Sequence, residues 1–367
     1  MYGNVQEAGD WWGNTYTPDD VWIARYDIPP RATIRGLAHG LTSPDAITDT
    51  MWTNNQRGHQ YVGSTTQKWG GLQLSIDVDI EAASVAGSQG SKSVSSFSFT
   101  TVDIPGAPST SALGVNDAGG DLTGSTTDVI VGNPAFVDTN GSFTSLICPG
   151  GSINQSAYGV NNLGQVVGAC TNADGSSSGF IYSGGIYTVF SYPGSVSTWA
   201  MGINDDGQIV GSYEDSSTNI HGFVYNFGGD ATFTSFDFPD PNGFYTHLTG
   251  VNGQGQIVGY YFYPAYPTNS VYGFLWNHAS DGSLLSINYP GATGTWPTGL
   301  NANGEVVGTS RISEFLWSNG NFSALPPVPN SCDFWPNGIN NYGRVVGFWT
   351  TDCNTNDYQG FWAVPAP

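Results

Sequence analysis

The sequence predicts an all-β fold: a six-bladed β-propeller over residues 95–367, closed by an N-terminal strand and preceded by a β-rich extension over residues 1–94. Three observations predict it. The composition is that of strands and tight turns, one motif recurs six times at blade-sized intervals, and the strand missing from the last repeat stands ahead of the first.

The composition comes first. The chain has 367 residues, 51 of them Gly, with 14% aromatic and only 10% charged residues. Abundant Gly and aromatics with few charges favour strands and turns over helices. No run of 18 apolar residues is present, so the sequence predicts no membrane span. A net charge of -21 with only eight Lys and Arg argues against nucleic acid or anionic lipid as partner. The first residues, MYGNVQEAGDWWGN, lack the basic start and apolar core of a secretion signal.

The second observation is the repeat. GVNDAGGDLTG from Gly114, GVNNLGQVVG from Gly159, GINDDGQIVG from Gly202, GVNGQGQIVG from Gly250, GLNANGEVVG from Gly299 and GINNYGRVVG from Gly338 are copies of one motif. Their asparagines, Asn116, Asn161, Asn204, Asn252, Asn301 and Asn340, are spaced by 45, 43, 48, 49 and 39 residues. Asp205 and Asp206 in the third copy suggest a metal loop, but neither the twelve-residue calcium pattern nor the Lys-Ser/Thr of a phosphate loop follows. The two residues after the Asn change from copy to copy, whereas a ligand set would hold them. A hairpin turn needs only an Asn that bonds local backbone and a Gly that tolerates positive φ. The motif therefore reads as a structural turn, with no metal and no cofactor.

Each turn is followed by an aromatic strand: AFV at Ala135, GFIY at Gly179, GFVY at Gly222, GFLW at Gly273, EFLW at Glu314 and GFWA at Gly360. A segment running to proline comes next, as in FTSLICPG from Phe143 and YTVFSYPG from Tyr187, degraded to FSALPPVP in the fifth copy. Each repeat thus supplies four strands: A ending at the Asn, B after the turn, C aromatic and D ending at Pro. Four strands in 40 to 50 residues is a propeller blade. The sixth repeat has no D strand before Pro367, while FSFTTVDIPGA from Phe97 has the D pattern and precedes the first repeat. Pairing the two closes the ring and removes its open edges.

These residues resemble the bacterial HAF-type extracellular repeat family, over about residues 95–367. The resemblance rests on the G-[VIL]-N-x-x-G-x-[VI]-V-G core, on His221-Gly222-Phe223 and Tyr272-Gly273-Phe274, and on the terminal D-x-PG. It departs in the Gly of the triplet, in the weak fifth D strand, and in the extra residue of the first copy, which reads as a bulge. The resemblance implies export and a propeller-like array, and no established reaction or catalytic residues.

The extension, residues 1–94, lacks the motif. DVWIARYDI from Asp20 and LQLSIDVDIE from Leu72 alternate as half-buried strands do, and SVAGSQGSKSVSS from Ser84 reads as a linker. It carries six of the eight basic residues against ten acids, a net of -4, and the repeats carry -17. A less acidic, aromatic arm beside an acidic ring suits self-association through residues 1–94; packing on its own ring is the alternative.

Cys148 and Cys170 lie 22 residues apart and Cys332 and Cys353 lie 21 apart, each pair straddling one motif. Two local disulfides in an oxidising compartment are the expectation, each worth roughly 3 kcal/mol by loop closure. Four free thiols are the alternative; a zinc site lacks CxxC spacing. For chemistry, the five His are scattered, and Glu214-Asp215 with either Glu305 or Glu314 is the carboxylate pair weighed for glycosidase work. For binding, the position five before each Asn reads Ser111, Ser156, Trp199, His247, Trp296 and Trp335. Equivalent positions ring the channel mouth of a propeller. Those three Trp and His247, with Tyr245, Phe244 and Phe334 near them, offer faces for a polysaccharide or a partner surface; packing between blades is the plain alternative. Together these readings predict an exported, non-enzymatic structural or adhesive surface protein. Glycan binding is the nearest alternative and polysaccharide cleavage the next.

Overall fold

A computed structural model describes residues 65–69, 72–76, 97–127, 133–150, 152, 154–264, 270–354 and 357–365. The chain divides into two units, Met1–Ser93 and Val94–Pro367. In the first, Thr65–Trp69 and Leu72–Ile76 form an antiparallel hairpin. The strand expected from Leu72 thus reaches at least Ile76; its continuation to Glu81 and the strand expected from Asp20 lie outside the described residues.

The second unit is a six-bladed propeller of four-stranded antiparallel sheets. Blade one shows the pattern, with strands A (Ser109–Val115), B (Leu122–Thr127), C (Ala135–Thr139) and D (Ser142–Leu146) paired in that order. The A strands of blades two to six are Asn154–Val160, Ser197–Ile203, Phe244–Val251, Thr295–Leu300 and Asp333–Ile339. Strand D of blade six is Phe97–Val102. It pairs with Gln359–Pro365 from Pro365↔Phe97 to Gly360↔Val102, so the ring closes as the circular offset predicts.

The core follows from the repeat. Phe136, Phe180, Phe223, Phe274, Phe315 and Phe361, one from each C strand, are all below 2% exposed. Burying such a side chain stabilises by about 1.5–3 kcal/mol, so these six anchor the blades. Each phenyl packs where a Cβ on the last motif glycine of its own blade would stand, as Phe223 does over Gly211. The first motif glycines form a ring of close backbone approach about the axis: a Cβ on Gly299 would lie 2.9 Å from the Gly338 Cα, and one on Gly202 3.2 Å from the Gly250 Cα.

The motif asparagines do two jobs. Each Oδ1 caps its own turn, as Asn204 accepts from the Gln208 N–H at 2.9 Å. Each Nδ2 donates to the backbone carbonyl of the Asn in the next blade. Asn116 gives to Asn161 (3.1 Å), Asn161 to Asn204 (3.0 Å), Asn204 to Asn252 (3.0 Å), Asn252 to Asn301 (3.0 Å), Asn301 to Asn340 (3.0 Å), and Asn340 back to Asn116 (3.1 Å). The turn residue is also a latch, and the six latches make a closed circle.

Two local readings need correction. The extra residue of the first copy is absorbed in the turn, not in a strand: Asn116 N–H bonds the Asp121 carbonyl, five residues on, where the other copies bridge four. Bulges instead occur in every A strand, between Ala112 and Gly114 in blade one and at the matching positions of the other five. They turn Leu113, Tyr158, Met201, Thr249, Thr298 and Asn337 toward the channel.

Both disulfides are formed, Cys148–Cys170 with Cα atoms 6.1 Å apart and Cys332–Cys353 with Cα atoms 5.8 Å apart. Among the described residues no helix is long and apolar enough to cross a membrane.

Candidate functional site

The channel holds two cavities of about 180 Å³ each. The bulged residues line the first, and its wall is divided. Leu113, Tyr158 and Met201 of blades one to three are largely apolar. In blades four to six the polar side chains are spent on latching: Thr249 donates to the Pro297 carbonyl (2.9 Å), Thr298 to Pro336 (2.8 Å) and Asn337 to Ala112 (3.4 Å). The second cavity sits inside the asparagine circle. There Asp117 and Asp205 accept from Asn341 and Asn162 across the blade seams.

Neither cavity is lined by the residues five before the Asn. The bulge two residues later explains the difference from the expected ring at the channel wall. It swings the bulged side chain to the axis and leaves the earlier one on the sheet face, beside its strand B partner. Trp199 is half-buried opposite Ser212. Trp335 stacks on Phe348 (5.0 Å) and meets the edge of Tyr358 (5.6 Å). His247 stacks on Tyr260 (4.7 Å), and its Nδ1 lies 3.2 Å from the Ser212 hydroxyl of blade three. Burial holds the His247 imidazole down at about 4, so it is neutral, and pushes the Tyr260 phenol up to about 12. Tyr245 adopts a left-handed backbone (φ 53°) and packs on Phe244 (4.8 Å). Phe334 is only 5% exposed and belongs to the blade-six core, so it presents no face to a ligand.

Trp296 differs from its counterparts. It stands opposite Thr309, which stands opposite Glu314, so the three lie side by side on one face of blade five. The Arg311 guanidinium, on the exposed B–C loop, sits 5.7 Å from the Trp296 ring centroid. Gly294, from the loop entering the blade, lies under both, and a Cβ there would collide with the indole. Thr309 donates to Glu314 Oε1 at 3.4 Å. Burial raises the Glu314 carboxyl, and the charge of Asp333 raises it further. An aromatic face, a cation and a carboxyl thus converge at one exposed edge. Sequence reasoning named Trp296 and Glu314 for different roles and passed over Arg311. The signal was there: Glu314 replaces the glycine that four other C strands carry, and Arg311 is one of two basic residues in the ring.

The weighed carboxylates are separated by the fold: Glu214 and Asp215 lie in blade three, Glu305 and Glu314 in blade five. Glu305 accepts from Asn301 at the far end of strand B from Glu314. Four residues of strand put them about 13 Å apart, beyond the reach of a glycosidase pair. Asp215 is held at about 2 by hydrogen bonds from Asn219, Ser217 and His221. His221 bridges Asp237 (2.8 Å) and Asp215 (3.4 Å) and stacks on Tyr213 (5.0 Å), tying the B–C hairpin of blade three to its outer strand.

No protein-family model matches the chain, and no curated protein matches its sequence. Solved structures do match in fold. A virginiamycin B lyase from Staphylococcus aureus, a catalytically inactive variant with quinupristin, is 9% identical with a TM-score of 0.43, over 73% of this chain and 100% of that one. TolB from Acinetobacter baumannii is 11% identical with a TM-score of 0.47, over 67% and 64%. The Aleuria aurantia fungal lectin, a six-bladed propeller, is 13% identical with a TM-score of 0.40, over 70% and 96%. At these identities and TM-scores the likeness assigns this chain no activity and no ligand.

Proposed function

We propose that this protein is an exported, non-enzymatic adhesive propeller that holds carbohydrate at the exposed edge of blade five. The observation that carries the reading is the Trp296, Arg311 and Glu314 cluster. A sugar ring lays its C–H face on an indole, while a guanidinium donates to its oxygens and a carboxyl accepts from its hydroxyls. The Arg311 guanidinium lies 5.7 Å from the indole centroid, within reach of a ligand seated beside the ring. The two disulfides support an oxidising, extracellular setting, and membership of the HAF-type group is part of the same proposal.

The test is a glycan array probed with the full chain and with Trp296→Ala. The reading expects hits that vanish in the variant while its melting temperature stays within a few degrees. Hits indifferent to Trp296→Ala, or release of reducing ends from a bound polysaccharide, would sink it. The charge division of -4 against -17 favours a second, compatible reading, self-association through residues 1–94. Light scattering of the full chain against residues 95–367 checks it: equal assembly by both would remove the arm as connector.

A further inference from the structure

Blade four departs from the other five in its strand A. Phe244 pairs with Phe262 and His247 with Tyr260, so Tyr245 and Thr246 together stand where strand B has only Tyr261. This bulge is additional to the one that all six blades share; in the other five the register shifts only at the shared position. Tyr245 carries the irregularity, with φ at 53°. Among the described residues it is the one non-glycine of positive φ that lies inside a strand. The left-handed region is unfavourable for a bulky side chain, and such strain persists only where its surroundings impose it.

The bulge sets where the ring goes. A regular strand would send Phe244 and Tyr245 to opposite faces. Instead the Tyr245 ring meets both Phe244 (4.8 Å) and Phe262 (6.2 Å), and Phe262 lies 6.1 Å from Tyr260 and 6.2 Å from His247. Five rings therefore gather on one face. Phe244 opens strand A of blade four and Trp296 is the second residue of strand A of blade five, so both clusters sit at the same end of the ring.

Core packing does not account for this arrangement. The core ring of blade four, Phe274, is fully buried over Gly259 on the other face, whereas Phe244, Tyr245 and Phe262 are only half-buried. Nor does the face need rings to fold: the places of His247 and Tyr260 are taken by Ser111 and Ser125 in blade one and by Ser156 and Ala169 in blade two. The Tyr245 hydroxyl has no hydrogen-bond partner among the described residues.

The cluster adjoins blade five. Ser212 and His247 hold the positions of Tyr260 and Trp296 one blade earlier, and they lie 3.2 Å apart across their seam. Strand B of blade four packs on strand A of blade five as strand B of blade three packs on strand A of blade four.

We infer that the ligand held at Trp296 is an oligosaccharide segment that runs on to blade four, where Tyr245, backed by Phe244 and Phe262, stacks on a second sugar unit. This rests on the reading of blade five as a carbohydrate site and adds the class of ligand to it, a chain of linked sugars in place of a single one. An aromatic ring takes the C–H face of a sugar, and a phenol hydroxyl donates to and accepts from its hydroxyls. Sheets packed face to face lie about 10 Å apart, so rings on neighbouring blades serve different units of one chain.

The test is calorimetric titration of the full chain with β-1,3- and β-1,4-linked glucose oligomers of two to six units. Affinity should rise about tenfold from dimer to hexamer in one of the two series. Tyr245→Gly should remove that rise, so that dimer and hexamer bind alike, and Trp296→Ala should remove binding of both. Glycine tolerates the left-handed backbone, so Tyr245→Gly should melt within a few degrees of wild type; Tyr245→Leu, which keeps an apolar side chain and loses the ring, gives the same readout if it does not. Equal affinity along a series, lost with Trp296→Ala, leaves the blade-five reading standing and overturns this inference. A rise with length that survives both Tyr245 variants overturns it too, and absence of binding by every oligomer overturns both.

Discussion

Replacing Asn204 by Asp separates the two jobs that the structure gives the motif asparagine. Asp keeps the side-chain oxygen that caps the turn at the Gln208 N–H, and as a turn residue Asp is as good as Asn. It removes the Nδ2 donor that reaches the Asn252 carbonyl at 3.0 Å, at a position only 6% exposed. The carbonyl left behind loses its partner, at about 1–3 kcal/mol, and now faces a carboxylate oxygen. The expected cost is about 3 kcal/mol, which for a unit of this size lowers the melting temperature by roughly 6–10 °C. Asn204→Ala loses both bonds and should cost at least as much. The assay is urea unfolding at neutral pH of wild type, Asn204→Asp and Asn204→Ala. If Asn204→Asp unfolds within about 0.5 kcal/mol of wild type while Asn204→Ala does not, the latch contributes nothing and the residue is a turn former only.

Two further perturbations test the site region and the crosslinks. His247 is neutral in the fold, its imidazole lowered by burial from 6.5 to about 4, so its contribution is complete above pH 6.5 and is lost as pH falls toward 4. About 2 kcal/mol should be gone by pH 5, and His247→Gln should flatten the change in urea midpoint between pH 7 and pH 5; equal slopes would count against a buried neutral imidazole. Cys332 and Cys353 are exposed, whereas Cys148 and Cys170 are 5% and 2% exposed. Mild reductant followed by alkylation and peptide mapping should therefore label Cys332 and Cys353 first, and opening a loop of this length should cost roughly 3 kcal/mol; simultaneous labelling of all four would contradict the difference in access.

How far the sequence could be read depended on whether a signal repeats. The buried phenylalanines, the turn asparagines and the strand ahead of the first repeat all recur or complete a recurrence, and the Phe361↔Thr101 pairing follows from them. The latch does not follow, because the acceptor of each Nδ2 lies 39 to 49 residues onward along the chain within the array, where no local pattern points to it. Nor do the six bulges. Each adds one residue between paired positions without altering the motif's own spacing, so it reorients the aromatic positions without leaving a trace in the sequence. The two candidate sites fall on either side of this divide. At blade five the clue is compositional: Glu314 stands where glycine is the rule, and a departure from a repeat is visible to anyone who aligns the copies. At blade four the rings of Phe244, Tyr245 and Phe262 are plain in the sequence, but the extra bulge that swings Tyr245 onto their face is not, and neither is the seam that sets Tyr260 beside blade five. In a repeat protein, then, a functional residue that breaks the consensus is legible from sequence, and the backbone departure that aims it is visible only in three dimensions.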